Sequence, residues 1–323
     1  MGTGTDSLAC WPAVLINLVL GILSGAQSAV AQSSDIAYVT SESAGAISGI
    51  DTHSNRIVWR ADIPGRPHNL EVTTDGLVVV ATQGVDAVSI VDATSGVAEI
   101  KRIAIGAPPH DIALDSDGRT VFVVSERGLL LRIDPITGRI LERLKLRGTP
   151  HDLFRQGKAV WITDISARRI FSADRGRVRE LPISVQGHDL AIRPGSRELW
   201  VTPWSSNLTV IVDVESHREI AKLEVGQTTS HKHLAFTPDG GQAWITEPES
   251  GSLIVVDAGS RQNVARIGLG GPPHHLRFAE GKAYVAVGPR ELVSVDVGTR
   301  KIIGRVPVGS GVHDVAFRPL SDK

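Results

Sequence analysis

Residues 67–106, PHNLEVTTDGLVVVATQGVDAVSIVDATSGVAEIKRIAIG, contain the four short elements that decide the fold. The first element begins with Pro-His, the second is a run of Val residues, the third ends at Asp92 and the fourth ends at Gly106. Runs rich in Val and Ile, in which apolar and polar residues partly alternate, are typical of β-strands. Four such strands within about 40 residues indicate one blade of a β-propeller.

The first element occurs seven times, and its copies start 37 to 44 residues apart. The copies are PHNL (67–70), PHDI (109–112), PHDL (150–153), GHDL (187–190), HKHL (231–234), PHHL (273–276) and VHDV (312–315). The chain begins with the second to fourth elements and ends with the first, so its last strand can complete the first blade and leave no exposed sheet edge. We therefore expect an all-β fold over residues 32–323: a single seven-bladed β-propeller with four-stranded antiparallel blades, closed by the C-terminal strand.

Composition excludes several classes of function. The chain has 34 basic and 35 acidic residues and a formal charge of −1, which argues against a nucleic-acid-binding protein. The only cysteine is Cys10 and the only methionine is Met1. Both lie in an N-terminal stretch that we expect to be removed, so the mature chain would have no disulfides, thiolate nucleophile or cysteine-ligated metal centre, and any metal must be held by His, Asp, Glu, Lys, backbone or water.

The N-terminal segment is typical of a secretory signal peptide. Residues 11–30, WPAVLINLVLGILSGAQSAV, contain a short apolar run that is followed by small residues and ends in Ala29-Val30-Ala31. This pattern predicts a signal peptide over residues 1–31 with cleavage after Ala31. We expect an exported, periplasmic protein that keeps no stable membrane insertion after cleavage.

The repeated Pro-His or Gly-His element predicts a ring of histidines at one mouth of the central channel, because the first strand of each propeller blade lines that channel. Imidazole beside carboxylate suits copper, zinc and related transition metals. The alternative is that each histidine only bonds the backbone of the next blade. The predicted metal ligands are His68, His110, His151, His188, His233, His274, His275 and His313.

The second strand runs antiparallel to the first, so its end returns to the same mouth. We therefore expect the acids Glu126, Asp164 and Glu247 to lie near the histidines. In the copy HKHL, Lys232 stands where the other copies have the ring histidine, so we expect it in the ring. The two adjacent repeats that contain His231, His233, His274 and His275 depart most from the pattern. Such departures indicate either a metal held off-centre or sequence drift without function.

Two resemblances refine these expectations. The repeats, which open with Tyr38-Val39-Thr40, resemble the YVTN family of β-propellers and imply the seven-bladed fold. Trp244-Ile245-Thr246-Glu247, together with Pro273-His274, is similar to blades of the virginiamycin B lyase family. That second resemblance implies a Mg²⁺ site with Glu247 and His274 as catalytic residues.

The multi-histidine ring also resembles, in kind, the copper centres of propeller enzymes such as nitrous oxide reductase and thiocyanate dehydrogenase. Three functional hypotheses follow. The first is an exported propeller that binds copper or zinc, as a copper-dependent oxidoreductase or a metal-binding accessory protein. The second is a metal-dependent lyase or hydrolase, and the third is a non-catalytic scaffold. The expected partner is a metal ion or small molecule at the channel mouth, or another exported protein.

Overall fold

The computed structural model describes residues 1–2, 35–93, 99–229 and 231–319. The predicted signal peptide lies outside this range except for residues 1–2. Among the described residues, no helix is both long and apolar enough to span a bilayer. The described chain is almost entirely β-structure, apart from two short 3₁₀ turns at Gln83–Val85 and Pro248–Ser250.

The described residues form 28 strands in seven four-stranded sheets, which we number as blades 1 to 7. Blade 1 contains β28 (Val312–Phe317), β1 (Ile36–Ser41), β2 (Ala46–Asp51) and β3 (Arg56–Asp62). Blade 2 contains β4 (Pro67–Val72), β5 (Leu77–Thr82), β6 (Ala87–Asp92) and β7 (Glu99–Ala104). Blade 3 contains β8 (Pro109–Leu114), β9 (Val121–Ser125), β10 (Leu129–Asp134) and β11 (Arg139–Lys145). Blade 4 contains β12 (Pro150–Gln156), β13 (Ala159–Asp164), β14 (Arg169–Asp174) and β15 (Arg177–Pro182). Blade 5 contains β16 (Gly187–Ile192), β17 (Glu198–Pro203), β18 (Leu208–Asp213) and β19 (Arg218–Glu224). Blade 6 contains β20 (Leu234–Phe236), β21 (Gln242–Glu247), β22 (Ser252–Asp257) and β23 (Gln262–Gly268). Blade 7 contains β24 (Pro273–Ala279), β25 (Lys282–Val287), β26 (Glu291–Asp296) and β27 (Ile302–Pro307).

The predicted closure of the ring is confirmed. The C-terminal strand β28 pairs antiparallel with β1, with Val315 opposite Val39 and Ala316 opposite Tyr38. The first strands of neighbouring blades contact one another all the way around, from β28 through β4 and back to β28. The ends of the chain are thus joined in one blade by hydrogen bonds rather than by a covalent link.

Apolar side chains hold neighbouring blades together. Between blades 6 and 7, Trp244 is fully buried and packs edge-on against Phe278, with ring centroids 5.4 Å apart. Val285 and Val293 lie in the same cluster, and similar clusters fill the other spaces between blades. Each fully buried Val or Leu contributes roughly 1.5–3 kcal/mol, so the alternating Val and Ile of the sequence are the main source of stability.

A β-bulge at the repeated His-Asp element positions the candidate site. In blades 2, 3, 4, 5 and 7 the register between first and second strands shifts at this element, for example between Pro150 and Leu153. The backbone amide of Asp152 lies in the bulge and donates to Thr163 Oγ1 at 3.0 Å. Equivalent bonds join Asp189 to Thr202 and His233 to Thr246. In blades 1, 4, 5 and 6 a threonine one residue before the end of the second strand therefore accepts this amide.

Candidate metal centre

Seven imidazoles form a closed ring at one mouth of the channel, and each comes from a different blade. The distances between neighbouring ring centroids are 4.5 Å (His68–His110), 3.7 Å (His110–His151), 4.7 Å (His151–His188), 4.6 Å (His188–His233), 3.7 Å (His233–His275), 5.1 Å (His275–His313) and 3.8 Å (His313–His68). The structure thus brings together seven of the eight predicted metal ligands.

The eighth predicted ligand, His274, lies beside the ring. Its imidazole stacks on that of His313 at 5.3 Å, and the second histidine of its pair, His275, takes the place in the ring. In blade 6 the prediction that Lys232 occupies the ring is wrong. Lys232 is fully buried, its Nζ donates to Val225 O at 2.6 Å, and His233 enters the ring instead.

Burial keeps most of these histidines neutral. It lowers the pKa of His151 and His275, and it lowers the pKa of His68, His188, His233 and His313 well below the usual value. The pKa of His274 falls to about 4 because of burial and the proximity of His275 and His231. A neutral imidazole has a free ring nitrogen, which is the form that binds metal ions.

A layer of acids lies directly behind the ring, and three of them are tied to the backbone. Asp111 accepts hydrogen bonds from the amide of Ile112, its own neighbour, and from Leu153 in the next blade, both at 2.8 Å. Asp189 does the same with Leu190 at 2.6 Å and Leu234 at 2.8 Å. Each tied carboxylate therefore uses two amides and joins two adjacent blades.

Asp314 completes this set across the closing blade. Its carboxylate accepts from the amide of Val315 at 2.8 Å and from that of Leu70 in blade 2 at 3.2 Å. The three tied aspartates thus occupy blades 1, 3 and 5 and use the amides of blades 1 to 6.

Asp152 in blade 4 is the exception. It is fully buried, and neither carboxylate oxygen accepts a hydrogen bond from the described residues. The amide that follows it in sequence, that of Leu153, is already taken by Asp111, and that of Leu190 in the next blade is taken by Asp189. Its carboxylate faces the imidazoles instead.

Three imidazole nitrogens surround this carboxylate. His151 Nδ1 lies 3.1 Å and His110 Nε2 3.4 Å from Asp152 Oδ1, and His233 Nδ1 lies 3.9 Å from Oδ2. Burial alone would raise the pKa of Asp152, but the surrounding imidazoles, His151 foremost, outweigh it and hold that pKa well below its usual value. The Nδ1 atoms of His151 and His233 have no hydrogen-bond partner among the described residues.

Four groups around the ring bring three potential ligand atoms within 4.8 Å of one another. Asp152 and His233 each belong to two of them. The groups are Glu42, His68 and His313; His110, His151 and Asp152; Asp152, His188 and His233; and Asp189, His233 and His275. The sequence pattern indicates the histidines as site residues but not Asp152 or Glu42.

The acids at the ends of the second strands divide into two kinds. Glu126 faces the ring, with Oε1 3.5 Å from His110 Nδ1 and 3.6 Å from His151 Nε2. Glu42 lies 3.4 Å from His68 Nε2. Both follow a Val-x-Ser segment, VTSE at 39–42 and VVSE at 123–126, and this shared motif is the sequence signal for Glu42.

Asp164 and Glu247 instead tie down turns. Glu247 Oε1 accepts from the amides of Gln227 at 2.6 Å and Thr228 at 3.1 Å, and Oε2 pairs with Arg266 at 2.6 Å. Asp164 likewise accepts from Thr149 N at 3.0 Å.

These contacts keep the Glu247 carboxyl ionised. Burial acts in the opposite direction, but hydrogen bonds from Ser250 and two backbone amides, with the charge of Arg266, lower its pKa to about 2. Gly226, at φ +67°, leaves the space that Glu247 occupies, since a Cβ there would collide with Oε1. A catalytic role for Glu247 with His274 stays a prediction.

An aromatic wall borders the ring. Trp204 is 36% exposed, stacks on His231 at 5.7 Å and contacts the rings of His151 and His188 at 5.4 and 5.3 Å. Trp204, His231 and His274 join six of the ring histidines in lining a cavity of about 140 Å³. This volume holds only a few water molecules or a small solute.

The family described as outer membrane protein assembly factor BamB matches residues 20–266 of the chain. A comparison with curated proteins found no match.

Solved structures confirm the architecture. A functionally unknown protein from Desulfotomaculum acetoxidans has a TM-score of 0.75 at 13% identity, covering 88% of this chain and 98% of its own. Hydrazine synthase from Kuenenia stuttgartiensis has a TM-score of 0.68 at 18% identity, covering 78% and 89%. Dihydro-heme d1 dehydrogenase NirN, in complex with DHE, has a TM-score of 0.64 at 12% identity, covering 87% and 74%. At these identities the similarity shows the fold alone.

Proposed function

The chain belongs to the propeller family described as outer membrane protein assembly factor BamB, and from this premise we propose that it is an exported, periplasmic propeller that binds a transition-metal ion at its histidine ring. The metal is copper or zinc, because imidazole nitrogens with one carboxylate are ligands that both ions accept. Two functions fit such a site, a copper-dependent oxidoreductase and a metal-binding accessory protein.

The observation that carries this proposal is the state of Asp152. A buried, ionised carboxylate without hydrogen bonds is costly, and proteins retain such groups where a cation neutralises them. The low pKa of Asp152 comes from protons carried by His151 and its neighbours, whereas burial lowers the pKa of His151 and His233, so carboxylate and imidazoles compete for protons that a bound cation would replace. Ionised carboxylate and neutral imidazole are the protonation states that metal binding requires.

The arrangement offers more than one position for an ion. Asp152 can be shared by the group with His110 and His151 and by the group with His188 and His233. Since Asp189 also approaches His233 Nδ1, at 3.5 Å, the ligands have carboxylates behind them that can orient the imidazoles. This second layer is typical of metal sites.

The lyase alternative has weaker geometric support. Its proposed base, Glu247, accepts two backbone amides and pairs with Arg266, and a carboxylate with a pKa of about 2 is a poor proton acceptor at neutral pH. Glu247 also lies outside all of the potential ligand groups of the described residues. The geometry therefore favours metal binding at the ring over Mg²⁺-dependent elimination at Glu247.

Elemental analysis tests the proposal. The protein is exported to the periplasm, purified without a polyhistidine tag, and measured for copper and zinc by inductively coupled plasma mass spectrometry. The metal-free protein is then titrated with Zn²⁺ and Cu²⁺ against a chelator. We expect near-stoichiometric metal and at least about 100-fold weaker binding in the double variant His151→Ala/His233→Ala.

The matched control is His217→Asn, because this imidazole lies outside the ring and outside every potential ligand group of the described residues, and Asn accepts the left-handed backbone conformation at this position (φ 57°). It should bind metal like the wild type. Absence of metal after loading and dialysis, or equal affinity in the double variant, would refute metal binding at the ring.

A further inference from the structure

A second cavity lies in the channel on the side of the acid layer away from the histidine ring. Its volume is about 370 Å³, within the range of small-molecule sites. It extends to Pro194 and Pro238, which lie in the turns at the far ends of the first strands of blades 5 and 6. None of the predicted functions uses this space.

The repeat explains why the cavity exists. Each first strand presents to the channel the residue that directly follows the four-residue copy of the repeated first element. In blades 2 to 7 these residues are Glu71, Ala113, Phe154, Ala191, Ala235 and Arg277, and all six line the cavity. Three alanines at one level of a narrow channel leave the space unfilled, while Phe236 and Phe278 add apolar wall.

The two charged residues at this level reach towards each other across the intervening blade. Arg277 Nη2 lies 3.8 Å from Glu71 Oε1, too far for a hydrogen bond. In the described part of the chain, the guanidinium of Arg277 donates one hydrogen bond, to Leu276 O at 3.4 Å. Its side chain is 37% accessible although it lies inside the channel, because its surface faces the cavity.

The remaining arginine of the wall is not available in the same way. Arg155 donates to Leu114 O at 2.8 Å and to Gly157 O at 2.9 Å, so its guanidinium is fixed to the backbone. Arg277 thus has most of its five N–H donors free and a planar fork that matches a carboxylate. The acids Glu71, Asp111 and Asp189 also line the cavity, and the carboxylates of the two aspartates each accept two backbone amides.

We propose that this cavity binds a small organic carboxylate, with its apolar body between Phe154, Ala191 and Ala235 and its carboxylate on Arg277. The volume corresponds to about twelve water molecules at 30 Å³ each, which sets the size of the ligand at about a dozen non-hydrogen atoms. An aromatic or branched aliphatic acid of that size fills the apolar part and reaches the guanidinium.

The probes are 3-phenylpropionate and its neutral isostere 3-phenylpropionamide, titrated by saturation-transfer NMR into EDTA-treated protein. We expect the carboxylate to bind at least about tenfold more tightly than the amide. In Arg277→Met this preference should fall below about twofold, with the affinity for the amide little changed. Ala191→Phe, which fills the cavity, should abolish binding of both probes.

Equal affinities for the two probes, unchanged binding in Ala191→Phe, or no binding of either at about 10 mM would overturn the proposal. If Arg277→Met does not fold, as judged by its circular dichroism and melting temperature, Arg277→Gln replaces it. The metal-free protein is used throughout, so failure here leaves metal binding at the ring untouched. Loss of metal binding would equally leave this site untouched.

Discussion

Replacing Asp152 with Asn should separate the site from the scaffold, because the protein offers a matched control. Asp111 occupies the same position of the adjacent repeat and is equally buried, but its carboxylate accepts two backbone amides at 2.8 Å. Asp152 accepts no hydrogen bond from the described residues. Asp152→Asn should therefore reduce metal affinity, and Asp111→Asn should reduce stability.

The expected size of each effect follows from these distances. The carboxylate oxygens of Asp152 lie 3.1 to 3.9 Å from imidazole nitrogens, so an ion bound to any of them lies close to the carboxylate. At 4 Å and an effective dielectric constant of 20, one pair of unit charges is worth about 4 kcal/mol. Because Zn²⁺ carries two charges, the loss is at least that large and weakens Zn²⁺ binding by at least about 1,000-fold, at about 1.4 kcal/mol per factor of ten.

Asp111→Asn keeps one accepting oxygen and turns the other into a donor that faces a backbone amide. A buried backbone amide that loses its acceptor costs about 1–3 kcal/mol of unfolding free energy. Its Zn²⁺ affinity should stay within about tenfold of the wild type. This is the smallest loss of metal affinity that is typical when a residue behind a metal ligand is replaced.

The assays are chelator competition for Zn²⁺ and urea denaturation of the metal-free proteins, applied to both variants. We expect the two effects to separate: Asp152→Asn loses Zn²⁺ affinity, and Asp111→Asn loses stability. If Asp152→Asn binds Zn²⁺ within about tenfold of the wild type, the carboxylate is not a ligand and the reasoning is wrong.

Three further predictions concern acid sensitivity, closure and export. His274 has a pKa of about 4 in the fold and about 6.5 when unfolded, so the unfolded chain binds more protons between these values. The contribution of His274 to the unfolding free energy is then complete above pH 6.5 and falls by at most about 3 kcal/mol towards pH 4. In urea denaturation of the metal-free proteins, His274→Gln should lose up to about 3 kcal/mol less than the wild type between these two pH values. Equal pH profiles would contradict this prediction. Val315→Ala truncates a fully buried side chain in the strand that closes the ring. It should lower the unfolding free energy by about 2 kcal/mol. A change below about 0.5 kcal/mol would show that the closing strand contributes little to stability. Residues 1–34 fused to alkaline phosphatase, which is active only after export, should give periplasmic activity in Escherichia coli, and inactive cytoplasmic fusion protein would contradict the predicted signal peptide.

The fold was predictable because each strand carries its own local signal. Val-rich runs, turn residues and the unpaired last element specify seven blades and their closure without any long-range information, and β28 pairs with β1 as expected. The identity of the ring members was less predictable, because the bulge lets either residue of the His-Asp pair enter the ring. Two neighbouring histidines, His274 and His275, look equivalent in sequence, and only the packing of the ring distinguishes them.

The position of Asp152 follows from a counting argument that sequence spacing alone does not show. A carboxylate that accepts the amide after it and the equivalent amide of the next blade uses two blades, so adjacent blades cannot both hold such an acid. Asp111 and Asp189 stand on either side of Asp152 and together take both amides that it would need. In a run of three consecutive Asp blades, the middle carboxylate is therefore released from the scaffold.

The other departures from the repeat have the same cause. The tied acids of blades 1, 3 and 5 make the equivalent positions of the remaining blades free to vary, and these positions are Asn69, Asp152, His233 and His275. His233 and His275 use that freedom to enter the ring, and Asp152 uses it to place a carboxylate among the imidazoles. Each tie uses one acid and the amides of two blades, so seven blades hold at most three ties and leave at least four such positions that the scaffold does not need.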